Sequence, residues 1–284
     1  PALCRTFGIE CHYGTHGGKK MKSLPKVLHL VDDDTAGGVM RVLDFLHSDR
    51  NLAQTAMHEA KFAKRGKVIR NLKHADVIIS HLAVSWRSLP VLIALRTAYA
   101  HKTLVHVEHN YTKQFMAHNV PNHYRFKILL KISYSCFNRI ISVSIGQKDW
   151  LLNNHLIPMK KMAVIQSCVD LTAFRALPAP SGPSRVFGAI GRLDKQKGFD
   201  ILIKAFRLCS DPNIKLHVIG EGPQKKRLKT LAKSDKRIVF KGFQPNPVMA
   251  FSDIDVVIMP SRWESYGLVA IEALAAGRRL LCHN

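Results

Sequence analysis

The sequence predicts an α/β protein of two Rossmann-like domains facing a central cleft. Three observations predict it. Short apolar runs suited to buried parallel strands alternate with segments of helical spacing along both halves of the 284 residues. The alternation stops at 177–184 (LPAPSGPS), where prolines and a glycine disfavour helix and strand alike. It then restarts in the same order, and two βαβ domains joined in this way offer ligands a crevice at the carboxyl ends of their strands.

In the first half, 26–31 (KVLHLV) reads as a strand, followed by a turn containing Gly37 and Gly38 and a helix over 39–46. A second strand is expected at 76–82 (DVIISHL), then a helix at 89–100. A third strand, 103–107 (TLVHV), runs into Glu108-His109-Asn110. A helix over 126–137 leads to a strand at 139–143 (RIISV), a further helix beyond Gly146, and a last strand at 162–166. The first domain is placed at 26–179. Residues 1–25 are expected to be an extension without a fold of their own, since 14–22 is polar and glycine-rich and Met21 opens the first protein-like stretch.

The second domain is placed at 180–284. Its strands are expected at 186–190, 215–219, 238–241 and 255–259, and its helices at 199–209, 224–232, 247–252 and 267–276. The chain ends in what reads as the opening of another strand.

Hydrophobic residues make up 46% of the chain and charged residues 22%, a globular composition long enough for two cores. The longest nearly apolar run, 89–100, is interrupted by Arg96 and is too short to cross a bilayer. The first twenty-five residues lack the apolar core of a secretory signal. The six cysteines show no CxxC pair and are expected to be thiols in a reducing, cytoplasmic compartment. The net charge of +23 is spread over both halves and favours anionic partners. With no zinc-finger spacing, RNP-type strand or arginine-rich tail, nucleic acid is not expected. A phosphorylated ligand and an anionic membrane surface are, with Lys61, Lys64 and Lys67 as membrane contacts or simply a solvated face.

Three segments of the second half carry chemistry. The first, 191–198 (GRLDKQKG), sets Arg192 and Lys197 beside glycines at a strand end and a helix start, a suitable cradle for a diphosphate. A solvated basic turn is the bland alternative. The second, 220–223 (GEGP), lets a ligand approach the backbone closely, although a plain strand-to-helix turn explains it nearly as well. The third, 260–277 (PSRWESYGLVAIEALAAG), holds Glu264 on a loop and Glu272 more than a turn into the next helix. Carboxylates can grip vicinal hydroxyls, so the pair can hold a ribose and a sugar ring while loop amides hold phosphate. For Glu272 alone, an exposed helical charge remains the alternative.

The set GRLDKQKGFDILIKAF, VIGEGP, VFKGF and PSRWESYGLVAIEALAAG resembles the donor-binding domain of the retaining GT-B enzymes of glycosyltransferase family 4. The resemblance covers roughly residues 186–277. The first half is similar to the acceptor domain more loosely, through GGVMRVL and the strand ending in VEHN. The resemblance implies a GT-B fold and transfer of a sugar from a nucleotide diphosphate sugar to an acceptor, with retention. It implies that Arg192 and Lys197 bind the donor diphosphate, that Glu272 binds the ribose, and that Glu264 contacts the transferred sugar beside the amides of Ser265, Tyr266, Gly267 and Leu268. Gly222 would lie near the nucleotide, the 241–243 turn near the base, and Gly38 near the donor phosphates. His109, rather than His106, takes the position of an active-site histidine, because strand alternation separates the two.

No metal or other cofactor is expected, since cations and helix starts can neutralise the departing diphosphate. The triplet Asp32-Asp33-Asp34 resembles the DxD metal motif of the other major glycosyltransferase fold, but follows the first strand and reads as a loop feature. Family members run on beyond the second glutamate, so the second domain is expected to be incomplete at its C-terminal end, which leaves activity open. The leading function is hexosyl transfer to lipopolysaccharide core or another cell-surface glycan, peripheral to the inner face of the cell membrane. Two alternatives stay open: a GT-B sugar-nucleotide epimerase or phosphorylase, and a non-catalytic remnant that binds nucleotide or membrane.

Overall fold

The computed structural model describes residues 24–33 and 37–283. Almost all of the expected extension at 1–25, and Asp34 of the acidic triplet, lie outside the described residues. The chain divides into two compact units, one ending at Val169 and the other beginning at Asp170. This is earlier than the boundary expected near 180, and Phe174 is the reason. On the short helix Thr172–Arg175 it is buried edge-to-face against Phe251, with ring centroids 5.4 Å apart. Arg278 further ties Pro178 to the second unit, donating to its carbonyl at 2.7 Å. The proline-rich segment is thus part of the second unit.

The first unit is a six-stranded parallel sheet: β1 (Lys26–Val31), β2 (Met57–Phe62), β3 (Val77–Ser80), β4 (Thr103–Glu108), β5 (Arg139–Ser142) and β6 (Met162–Val164), in the order β2-β1-β3-β4-β5-β6. One face carries Leu28, Leu30, Ile78, Leu104 and Ile140 into the main core, where Leu130 of the helix His123–Ser135 meets them. The opposite face carries a smaller cluster of Val27, Val77, Val105 and Ile141. Burial on both faces accounts for the continuous apolar runs in these strands. β2 was not expected from the sequence. Its residues, MHEAKF, form no apolar run, and it lies at the edge of the sheet with Met57 and Phe62 exposed. The helix Lys113–Asn119 was likewise not foreseen; Thr112 caps it by accepting from the amide of Phe115 at 3.1 Å.

The second unit has five parallel strands, β7 (Val186–Ile190), β8 (Lys215–Ile219), β9 (Ile238–Gly242), β10 (Val256–Met259) and β11 (Arg279–Cys282), in the order β11-β10-β7-β8-β9. The helix Phe199–Phe206 buries Phe199, Leu202, Ile203 and Phe206, one face of a 3.6-residue period. The helix expected over 247–252 is a single tight turn, Pro247–Ala250, begun by Asn246 accepting from the amide of Val248 at 3.0 Å. In each sheet the winding reverses once, between β1 and β3 in the first and between β7 and β10 in the second. Open α/β sheets bind their ligands at such reversals. Among the described residues, no helix is long and apolar enough to cross a membrane.

Candidate functional site

At the reversal in the second unit, the loops leaving β7, β8 and β9 are bonded into one surface. The Gly191 amide donates to the Ile219 carbonyl at 3.0 Å, Leu193 to Glu221 at 2.8 Å, Gln224 to Leu193 at 2.9 Å and Gly220 to Gly242 at 2.8 Å. The GRLD, GEGP and KGF segments are therefore neighbours, as their shared reading as a ligand cradle requires. Gly222 has a structural reason of its own: a Cβ there would lie 2.6 Å from the carbonyl oxygen of Leu193. Close approach of the two loops, rather than of a ligand, already demands glycine at this position.

Lys197 and Glu264 meet at the same end of the sheet. The Lys197 ammonium lies 2.5 Å from Oε1 of Glu264, which also accepts from the Ser261 hydroxyl at 2.8 Å. Asp194 joins the group by accepting from the Lys197 amide at 3.3 Å and pairing with the Arg192 guanidinium at 3.1 Å. The Arg192 side chain remains 65% exposed and can swing toward an anion. Phe243, the last residue of the 241–243 turn, is also exposed.

Two helices begin at this end of the sheet, each preceded by a glycine in the left-handed region: Gly198 before Phe199–Phe206 and Gly267 before Leu268–Ala275. No cap hydrogen bond from a side chain closes either start. The first turn of Phe199–Phe206 carries the Asp200 carboxylate, while the first-turn amides and dipole of Leu268–Ala275 meet no acidic side chain in that turn and suit an anion. Ser265, Tyr266 and Leu268 are half-buried around the second start. Glu272, one turn on, is only 1% exposed. An ordinary surface charge is thereby excluded for Glu272, because a carboxylate is costly to bury without a structural or binding purpose.

The sequence did not reveal the brace beneath this site. Arg262 grips Asp200 through two hydrogen bonds of 2.9 and 2.8 Å and also donates to the Lys195 carbonyl at 2.8 Å. This clamps the loop after β10 to the loop after β7. The guanidinium holds the Asp200 carboxyl below the usual carboxylate range. Arg262→Ala is expected to destabilise the second unit by about 2 kcal/mol, as for loss of a charged bidentate contact. Because Asp200 titrates lower in the folded state than unfolded, its contribution is full above about pH 4 and lost as pH falls through the depressed value. Urea unfolding checks both points; equal midpoints for parent and variant at pH 7 would contradict the first.

The first-unit candidates stand apart from this cluster in the chain. Gly38 is the first residue of the helix Gly38–Ser48. Asp32 is engaged as a loop brace, accepting from Arg65 at 2.9 Å and from the Ala83 amide at 3.3 Å. The Lys61 ammonium turns back to the Arg70 carbonyl at 2.9 Å, so this lysine is committed to its own loop. His106 and His109 do differ in setting. His106 is buried beneath the main core, 3.5 Å from the Glu108 carboxylate and packed against Tyr134 and Phe137. His109 is partly exposed and lies 2.8 Å from a ring nitrogen of His81. Burial and the neighbouring His106 lower its pKa to about 4 against the pull of Glu108.

Comparison with known proteins finds two family matches. Residues 45–173 match the Glycosyltransferase Family 4 model, and residues 173–284 match the model for Glycosyl transferases group 1. A Campylobacter jejuni enzyme, N-acetylgalactosamine-N,N'-diacetylbacillosaminyl-diphospho-undecaprenol 4-alpha-N-acetylgalactosaminyltransferase, is 30% identical over 162 residues, covering 55% of this chain and 44% of its own. An Escherichia coli O-antigen biosynthesis glycosyltransferase, WclY, is 34% identical over 100 residues, covering 34% of this chain and 28% of its own. The chain thus spans less than half the length of these curated relatives. Among solved structures, Anabaena HepE in complex with UDP and glucose superposes with a TM-score of 0.67 at 17% identity, covering 91% of this chain and 80% of that one. At that identity the likeness establishes the fold.

Proposed function

Since this chain belongs to the family 4, group 1 glycosyltransferases of GT-B type, we propose that its second unit binds a nucleoside diphosphate sugar and that the protein transfers the sugar, with retention, to a cell-surface glycan acceptor. The observation that carries this reading is the Lys197–Glu264 pair between two glycine-started helices at the reversal of the sheet. A diphosphate arriving there exchanges one carboxylate partner of Lys197 for phosphate oxygens and gains the first-turn amides. Glu264, released from the ammonium, is then available to sugar hydroxyls, and the buried Glu272 to the ribose. Charge on the leaving diphosphate is neutralised by Lys197, Arg192 and the helix starts, so the scheme calls for no metal.

The acceptor is proposed from the relatives: the Campylobacter enzyme is named for a diphospho-undecaprenol-linked glycan and the Escherichia coli one for O-antigen. Such acceptors sit at a membrane, and a net charge of +23 suits peripheral residence on an anionic cytoplasmic leaflet.

Titration calorimetry with UDP, GDP and their sugars tests the donor reading. Lys197→Ala is expected to weaken nucleoside diphosphate binding by about 2 kcal/mol, roughly thirtyfold, the worth of a charge-assisted contact. Binding undiminished in both Lys197→Ala and Glu272→Ala overturns the assignment.

A further inference from the structure

Four histidines of the first unit form an unbroken row across four adjacent strand positions. His58 of β2, His29 of β1, His81 just beyond β3 and His109 just beyond β4 lie on the face that also carries Val27, Val77 and Val105. Nδ1 of His58 is 2.9 Å from Nε2 of His29, Nδ1 of His29 is 3.0 Å from Nε2 of His81, and Nδ1 of His81 is 2.8 Å from Nε2 of His109. Ring centroids are 5.1 to 5.2 Å apart with planes 24° to 32° from parallel. Every link joins Nδ1 of one ring to Nε2 of the next, always in the same sense.

These are hydrogen-bond lengths between rings in line. No group of three or more histidine, cysteine or acidic residues among the described residues is arranged to hold a metal ion. A neutral imidazole has one N–H and one acceptor nitrogen. In such a row the choice at one contact therefore fixes all the others, leaving two proton orders: every ring protonated on Nδ1, or every ring on Nε2. His29 is 2% exposed, while His58 and His109, at opposite ends of the row, are only partly buried. Burial keeps the rings neutral, lowering the pKa of His29 to about 3 and that of His81 well below normal. The surroundings act mostly in the same direction: the charge His47 would carry disfavours protonation of His29 and His58, that of His106, on the other face of the sheet, disfavours it at His81 and His109, and Glu108 alone among these neighbours opposes them, at His109.

We propose that the row is a proton relay connecting His109 with the β2 edge of the sheet, with His29 as its buried middle link. In the order with protons on Nε2, a proton arriving at Nδ1 of His109 sends the Nε2 proton to Nδ1 of His81. His81 passes its own to Nδ1 of His29, and His29 to Nδ1 of His58. His58 then releases its Nε2 proton to water. One proton enters and one leaves, no ring changes its net charge, and every ring ends in the other tautomer; the reverse passage restores the first order. The inference rests on the glycosyltransferase reading only for the proton's source, the acceptor hydroxyl, which loses it as the glycosidic bond forms and the bond to the diphosphate breaks.

The relay is tested on the full chain labelled with 15N-histidine. At pH 7 the four rings are expected to share one tautomer, seen as matching pyrrole-type and pyridine-type nitrogens. His29→Phe should abolish that match between His58 and His109, and His81→Asn, at a less buried ring, should do the same if His29→Phe folds poorly. Mixed tautomers in the parent, or a His109 spectrum unmoved by either substitution, overturns the proposal. In a transfer assay His29→Phe should lower kcat on the order of a hundredfold, the usual worth of positioned proton transfer, with the KM for donor unchanged. An unchanged kcat despite broken tautomer matching also overturns it. If the parent protein transfers no sugar, the functional reading fails and the spectra still decide the relay.

Discussion

Acidification from pH 7 to pH 5 is expected to cost the first unit about 2 kcal/mol through His29 alone. The folded state holds this imidazole neutral down to a pKa of about 3, through burial first and the neighbouring His58 and His47 second. Unfolded, the same ring titrates near 6.5. Between these values the unfolded chain binds a proton that the folded one refuses, so stability falls as pH falls, beginning near 6.5 and levelling off near 3. His81, His109 and His58 are lowered as well and add to the loss with the same sign. Carboxylate contributions begin to fail only at lower pH, which separates the two effects. Urea unfolding followed at pH 7, 6 and 5 measures the loss, and His29→Leu should flatten the profile. Identical midpoints at pH 7 and pH 5 in the parent would refute the account.

The histidines that dominate this behaviour were not legible in the sequence as a group. They stand at 29, 58, 81 and 109 with no motif spacing, and only the strand register brings them together. β2, which supplies one of them, was itself missed because MHEAKF lies at the sheet edge and buries no continuous face. The Asp200–Arg262 brace was hidden for a similar reason, since its partners belong to loops that follow different strands. What was legible depended on local chemistry. Apolar runs such as VFGAI and KLHVI are strands because both faces of a parallel sheet are buried, and glycines at loop starts marked where the chain turns. Strand alternation also separated His106 from His109 correctly in setting. For Glu272 the sequence left burial and exposure open, because a helix of small apolar residues can face either way; the fold decides for burial.

Gly198→Ala is expected to damage both the stability and the ligand site of the second unit, and to do so more than any surface substitution nearby. Gly198 sits at φ 66°, ψ 18°, a conformation that costs an alanine about 1–2 kcal/mol. An added Cβ would also lie 2.0 Å from the carbonyl oxygen of Pro260, a backbone atom that cannot rotate away. Relieving that clash must push the loop after β10 off the loop after β7, adding about 1–3 kcal/mol of overpacking cost. The same displacement pulls Glu264 from Lys197 and strains the bidentate grip of Arg262 on Asp200, since all four side chains straddle the contact. The combined expectation is about 3 kcal/mol, a loss of roughly a hundredfold in the folding equilibrium, together with loss of nucleoside diphosphate binding. Gly182→Ala provides the comparison. Gly182 also has a positive φ, of 80°, but its Cβ would meet nothing within 4 Å, so it carries the backbone cost without the clash. Calorimetric unfolding and nucleotide titration of the two variants separate strain from collision. If Gly198→Ala unfolds no earlier than Gly182→Ala and binds nucleotide as the parent does, the close packing of these two loops is not what shapes the site.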